Sequence, residues 1–110
     1  MIRDRLDRIE ERLKQSESVK EGDKSELLTL LTTLRTEIDE LSRTNYEHAE
    51  SITGFAELSA REATRSEKSP TLLDLSIKGL ASSVQGFETS HPKLVEIINT
   101  LCTMLSNLGI

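Results

Sequence analysis

The sequence predicts an all-α fold, an antiparallel helical bundle with coiled-coil-like packing, and three observations support it. Leucine, isoleucine, valine and phenylalanine make up 30 of the 110 residues, enough for one hydrophobic core. Aromatic residues are only 3% of the chain and tryptophan is absent, so the usual material of a β-sandwich is missing. The apolar residues recur at steps of three and four, the spacing of one helix face. We therefore expect a single helical domain over residues 1–110.

The first predicted helix covers about residues 3–19. Its apolar face follows steps of four, three and four positions and consists of Ile2, Leu6, Ile9 and Leu13. Gly22 is a typical stop signal, and Asp23, with Glu26 three residues later, resembles a capping box. We therefore expect the next helix to begin at about residue 24.

The second predicted helix is the longest, about residues 24–65, because no proline occurs before Pro70. A helix of this length would measure about 60 Å. Gly54 lies inside it, and any bend or break is expected there, because glycine is unfavourable in a helix interior. The apolar seam of this helix comprises Leu27, Leu31, Leu34, Ile38, Leu41, Asn45, His48, Ile52 and Phe55.

The third and fourth predicted helices cover about residues 70–88 and 91–108. Each has proline at or near its first position, Pro70 after the N-cap candidate Ser69 and Pro92 after His91, and Gly109 closes the last helix. Short turns make consecutive helices antiparallel neighbours. The two short helices are therefore expected to cover the C-terminal half of the long helix, and the first helix its N-terminal half.

The length of the second helix also predicts self-association. Two helices alone cannot bury both of their apolar stripes, and Leu28 widens the stripe of the long helix. We therefore expect a homo-oligomer, most simply a dimer, or a complex with another helical protein. The interface candidates are Leu27, Leu28, Leu31, Leu34, Ile38, Leu41, Asn45 and His48.

Asn45 and His48 are polar residues at seam positions, and two interpretations are open. A buried asparagine in a coiled coil typically sets register and partner number. Alternatively, the two residues form the centre of a small-ligand or metal-binding bundle. The spacing of His48, His91 and Cys102 lacks the close ligand pairs of a zinc site, so neither a metal nor a cofactor is expected.

Charge and motif content exclude several classes of function. The net charge of −5 argues against nucleic acid as a partner, and no apolar stretch approaches the length of a membrane span. The first residues lack the apolar run of a secretion signal, and the single cysteine fits a reducing compartment, so we expect a cytoplasmic protein. No catalytic motif is present, and we do not expect an enzyme.

A corner between the last two predicted helices carries a family resemblance. Residues 87–94, FETSHPKL, and residues 105–110, LSNLGI, resemble the C-terminal signature of a bacterial family of unknown function, DUF4404. The resemblance implies a bacterial, leucine-rich helical protein and no particular activity. At this corner Ser90 or His91 is expected to cap the last helix and Pro92 to begin it, while Phe87 packs across the joint.

Overall fold

The computed structural model describes residues 1–108, and this part of the chain folds into five helices without a strand. The helices are α1 (Ile2–Gln15), α2 (Glu21–Ser42), α3 (Tyr46–Thr64), α4 (Pro70–Ser83) and α5 (Pro92–Leu108). The predicted all-α bundle is confirmed. Gly109, which was expected to close the last helix, lies outside the described residues.

The prediction of one long helix is wrong, because the chain breaks at residues 43–45. Serine, threonine and asparagine side chains compete with a helix by bonding to nearby backbone groups. Ser42 Oγ donates to the Asp39 carbonyl at 2.8 Å, and Thr44 Oγ1 donates to the Leu41 carbonyl at 3.4 Å. These side chains satisfy carbonyl groups at the end of α2, so a break at this point has a low local cost.

Packing also favours this break. A continuous helix over residues 24–65 would measure about 60 Å, whereas the longest dimension of the fold is 37 Å. After the break α3 contacts each of the other four helices, so the chain covers its own apolar faces. Gly54, the expected point of any break, lies inside an uninterrupted α3.

The predicted apolar seam is confirmed in α2 and is largely wrong in α3. Ile52 alone of the predicted α3 seam is fully buried, whereas His48 is exposed and Phe55 is 37% exposed. Asn45 is the N-cap residue of α3 rather than a core residue. The break resets the helix phase, and the buried face of α3 consists mainly of small residues: Ala49, Ile52, Thr53, Ala56, Ser59, Ala60 and Ala63.

The α2 interface candidates lie inside the core of one chain. The five seam residues Leu27, Leu31, Leu34, Ile38 and Leu41 are 0–3% exposed, and Leu28 packs partly buried against them. The expectation that they form an open interface is therefore wrong. It assumed one long helix, whereas the observed α2 is covered by α1, α3 and α5.

The first helix ends earlier than predicted, and the turn after it covers residues 16–20. Helix α1 ends at Gln15, and Val19, only 5% exposed, anchors the turn that follows. Helix α2 already begins at Glu21, so Asp23 lies in its first turn and is not the cap. The N-cap residue is Lys20, which makes no side-chain capping bond.

The proline-initiated helices begin as predicted. Ser69 caps α4 by accepting a hydrogen bond from the Leu72 amide at 3.3 Å, and Pro92 is the first residue of α5. Helix α4 ends at Ser83, five residues before the expected end. Gly86 then turns the chain with a φ of +96°, a conformation that favours glycine.

Candidate interaction surface

Four large apolar side chains are exposed on the neighbouring helices α3 and α4. Phe55 and Leu58 lie one turn apart on α3, and Leu72 and Leu75 lie one turn apart on α4, with exposures between 37% and 60%. A short turn joins the two helices, which contact each other extensively. We call the surface formed by these four residues the α3–α4 face. Clustered exposed apolar side chains of this kind are typical of interaction sites.

Contact between Phe55 and Gly79 sets the alignment of the two helices. A Cβ at position 79 would lie only 2.4 Å from Phe55 Cε1, so the ring occupies space that any other residue at 79 would fill. Because the helices run in opposite directions from their turn, this contact brings Leu58 to the level of Leu75. The apolar residues of the face are therefore neighbours.

Small and polar residues fill the layer between α3 and α4. Ser59 and Ser76 are both at most 2% exposed, and Ser76 Oγ donates to the Leu73 carbonyl at 2.9 Å. Glu62, 4% exposed, accepts a hydrogen bond from Arg65 Nη1 at 2.7 Å. The two serines are small and let the helices approach closely, which leaves the large apolar residues at the outer edge of the contact.

A hollow of about 480 Å³ lies beside the face, between Arg5 of α1 and the outer side of α3 from Glu47 to Leu58. Gly54 lines it, and the nearest atom to a Cβ at this position would be Arg5 Nη1, 3.8 Å away. Arg5 is held there by a hydrogen bond of 2.7 Å to the Glu50 carbonyl. The hollow is therefore a surface depression with an apolar wall on one side.

An ion pair between Arg8 and Glu57 also joins α1 to α3. Arg8 binds the Glu57 carboxylate through two nitrogens, with Nη2 3.1 Å from Oε1. This hydrogen bonding holds the pKa of Glu57 below its ordinary value. The adjoining cleft, about 660 Å³, carries Arg8 and Arg12 but also Glu11 and Glu57, so its charges favour no single class of charged ligand.

The predicted site residues Asn45 and His48 lie at the α2–α3 turn rather than inside the bundle. Asn45 Nδ2 donates to Thr44 Oγ1 at 3.2 Å, and the His48 ring packs edge-on against Phe87 with 5.2 Å between centroids. Within residues 1–108 no three His, Cys, Asp or Glu side chains are placed to hold a metal ion. Cys102 is buried in the core, and burial raises the pKa of its thiol.

Two histidine rings pack against Phe87 at the predicted corner. Phe87 lies between His48 of α3 and His91, with the His91 centroid 5.9 Å away. The His91 amide donates to the Phe87 carbonyl at 2.8 Å, and its own carbonyl accepts from Val95 at 3.2 Å. His91 therefore begins α5 through its backbone, whereas Ser90 is exposed. The contribution of His48 was not predicted, because it depends on the position of α3.

Comparison with known families identifies the chain. A model of DUF4404, a domain of unknown function, matches residues 31–110, from the middle of α2 onwards. The chain belongs to the DUF4404 family. The matched segment of this DUF4404 protein includes the α3–α4 face and the corner around Phe87. Among curated proteins and solved structures no significant match was found.

None of the described helices combines the length and the apolar character needed to cross a bilayer.

Proposed function

We propose that this DUF4404 protein is a self-associating protein-interaction module, not an enzyme, and that a second copy of the chain covers its α3–α4 face. The observation that carries the proposal is the exposure of Phe55, Leu58, Leu72 and Leu75 on one surface. Burying apolar surface contributes roughly 25 cal/mol per Å², so covering four such side chains favours association. The proposed interface thus differs from the one predicted on α2.

Charge on the outer side of α3 supports a second copy as the partner. Glu47 lies near the N-terminal end of the helix, whereas Arg61 and Arg65 lie near the C-terminal end. A two-fold axis brings the same surface of each subunit against itself in reverse. The acidic end of one copy then meets the basic end of the other, which favours this association electrostatically.

We also propose that this DUF4404 protein is bacterial and cytoplasmic. The family resemblance at residues 87–94 supports a bacterial origin, and the lone cysteine, Cys102, fits a reducing compartment.

Analytical ultracentrifugation of the untagged protein, from micromolar to millimolar concentration, tests the proposal. We expect the mass to rise from 12.3 kDa to twice that value. Leu58→Asp and Leu75→Asp should each weaken the dimer at least tenfold, because they place a charge in the contact. Tyr46→Asp is the matched control, because Tyr46 is 50% exposed but lies beside α1 and α2.

Circular dichroism establishes that each variant is folded. A wild-type protein that stays monomeric throughout, or a dimer that both folded aspartate variants leave intact, would contradict the proposal. If the chain forms a complex only together with a different protein, it would be an adaptor instead of a self-associating module.

A further inference from the structure

The outer side of α3 has a regular order of residues that are acidic, small, apolar and basic. We call this row the α3 ridge; it follows steps of four, three, four, three and four positions and consists of Glu47, Ser51, Gly54, Leu58, Arg61 and the C-cap residue Arg65. Steps of this kind place residues along one line of a helix. The ridge is therefore about 27 Å long at 1.5 Å per residue.

We propose that two α3 ridges pack antiparallel about a two-fold axis, with Leu58 of each copy in the hollow over Gly54 of the other. This inference rests on the proposed function and specifies its register. In a two-fold contact, if one residue of the first copy contacts a different residue of the second copy, the same two residues also contact each other with the copies exchanged. With Leu58 opposite Gly54, the same register places Arg61 opposite Ser51, and Arg65 opposite Glu47.

The shapes of the two contact positions fit each other. Leu58 is 40% exposed, and the hollow of about 480 Å³ beside Gly54 has room for a leucine side chain. Because Gly54 has no side chain, its backbone forms the floor of that hollow. A leucine entering it would meet Phe55 and the side chain of Arg5, as a knob enters a hole in coiled-coil packing.

Charge determines the direction of the pairing. Glu47 and Arg61 form no ion pair within residues 1–108, and Arg65 pairs with Glu62 of the same chain. The antiparallel register brings Glu47 against Arg65 of the other copy, one turn from Arg61. A parallel register would instead place Glu47 against Glu47 and Arg61 against Arg61, which is repulsive.

Disulfide cross-linking in a Cys102→Ala background tests the register. The Ser51→Cys and Arg61→Cys proteins are mixed, oxidised and compared with each protein oxidised alone. We expect a cross-link chiefly in the mixture, because the two introduced thiols oppose each other there. In either protein alone the equivalent positions lie about 15 Å apart along the helix axis, beyond the roughly 7 Å Cα separation that a disulfide spans.

The outcomes separate this inference from the proposed function. Cross-linking of the Ser51→Cys protein alone would indicate a parallel pair and overturn the inference, although self-association would stand. A dimer by ultracentrifugation without the mixed cross-link would also overturn it, because another surface would then be in contact. A monomer by ultracentrifugation would contradict the proposed function itself.

Filling the hollow gives a second test. Gly54→Leu should weaken dimerisation at least tenfold, because it occupies the space assigned to Leu58 of the other copy. Gly22→Leu is the matched control. Gly22 lies on α2, away from the α3 ridge, and a Cβ at this position has no atom within 4 Å. Equal dimerisation by the two folded variants would overturn the inference.

Discussion

Phe55 and Gly79 are in such close contact that a Cβ on Gly79 would lie 2.4 Å from Cε1 of the Phe55 ring. Glycine in a helix interior costs about 1 kcal/mol relative to alanine, and Gly79 lies inside α4. Glycine is therefore locally unfavourable at this position, but its lack of a side chain lets the Phe55 ring pack between the two helices. It also fixes where the exposed leucines of α3 and α4 lie relative to each other.

Substitution of Gly79 should have opposite effects in two backgrounds. In the wild-type protein Gly79→Ala should lower the free energy of unfolding by about 1–3 kcal/mol, because the new methyl group displaces the Phe55 ring. In a Phe55→Ala background the same change should raise it by about 1 kcal/mol through helix propensity. Urea denaturation measures both values. An effect of the same sign in both backgrounds would contradict the contact.

The buried hydroxyl of Ser59 should be replaceable with a gain in stability. Ser59 Oγ is buried and has no hydrogen-bond partner among the described residues. An unsatisfied buried polar group is costly, so Ser59→Ala should raise the free energy of unfolding by about 1 kcal/mol. Ser76→Ala is the control and should gain less, because Ser76 Oγ bonds to a carbonyl. A larger gain from the control would refute the argument.

The Arg8–Glu57 ion pair should make stability depend on pH under acidic conditions. The bond to Arg8 lowers the pKa of Glu57 in the folded protein below its ordinary value of 4.5. The pair therefore stabilises the fold above about pH 4.5, and this contribution is lost as pH falls through the lower, folded pKa. Glu57→Gln should reduce the fall in melting temperature over that acidic range.

Double substitution provides the control for this ion pair. Arg8→Gln alone should produce the same flattening of the acid profile, and the two changes together should add little. Fully additive effects would show that the two side chains act independently.

The ring of Phe87 should matter more than either histidine that flanks it. Phe87 packs partly buried against the core, so Phe87→Ala should cost about 1–3 kcal/mol, less than a fully buried ring. His48→Ala should cost under about 0.5 kcal/mol, because His48 is exposed. Chemical denaturation compares the two. A larger loss of stability from His48→Ala would show that the imidazole, and not the Phe87 ring, mainly stabilises the corner.

Local sequence signals determined the helical class and most helix starts of this protein. The buried faces of α1 and α2 were predictable because leucine and isoleucine recur at helical spacing. Burial of these side chains supplies most of the driving force for folding. The starts at Pro70 and Pro92 were predictable because proline fixes its own backbone angle and lacks an amide hydrogen. These properties need no information about distant parts of the chain.

Tertiary packing decided the break at residues 43–45 and everything that depends on it. A continuous helix and a turn at these residues differ little in local free energy. The break therefore follows from how much apolar surface the whole chain buries when α3 folds back. The buried face of α3 is largely alanine, which gives a weak periodic signal, although Ala49, Ala56, Ala60 and Ala63 keep helical spacing. The exposure of His48 and the α3–α4 face result from that packing, because long-range burial sets the phase of α3.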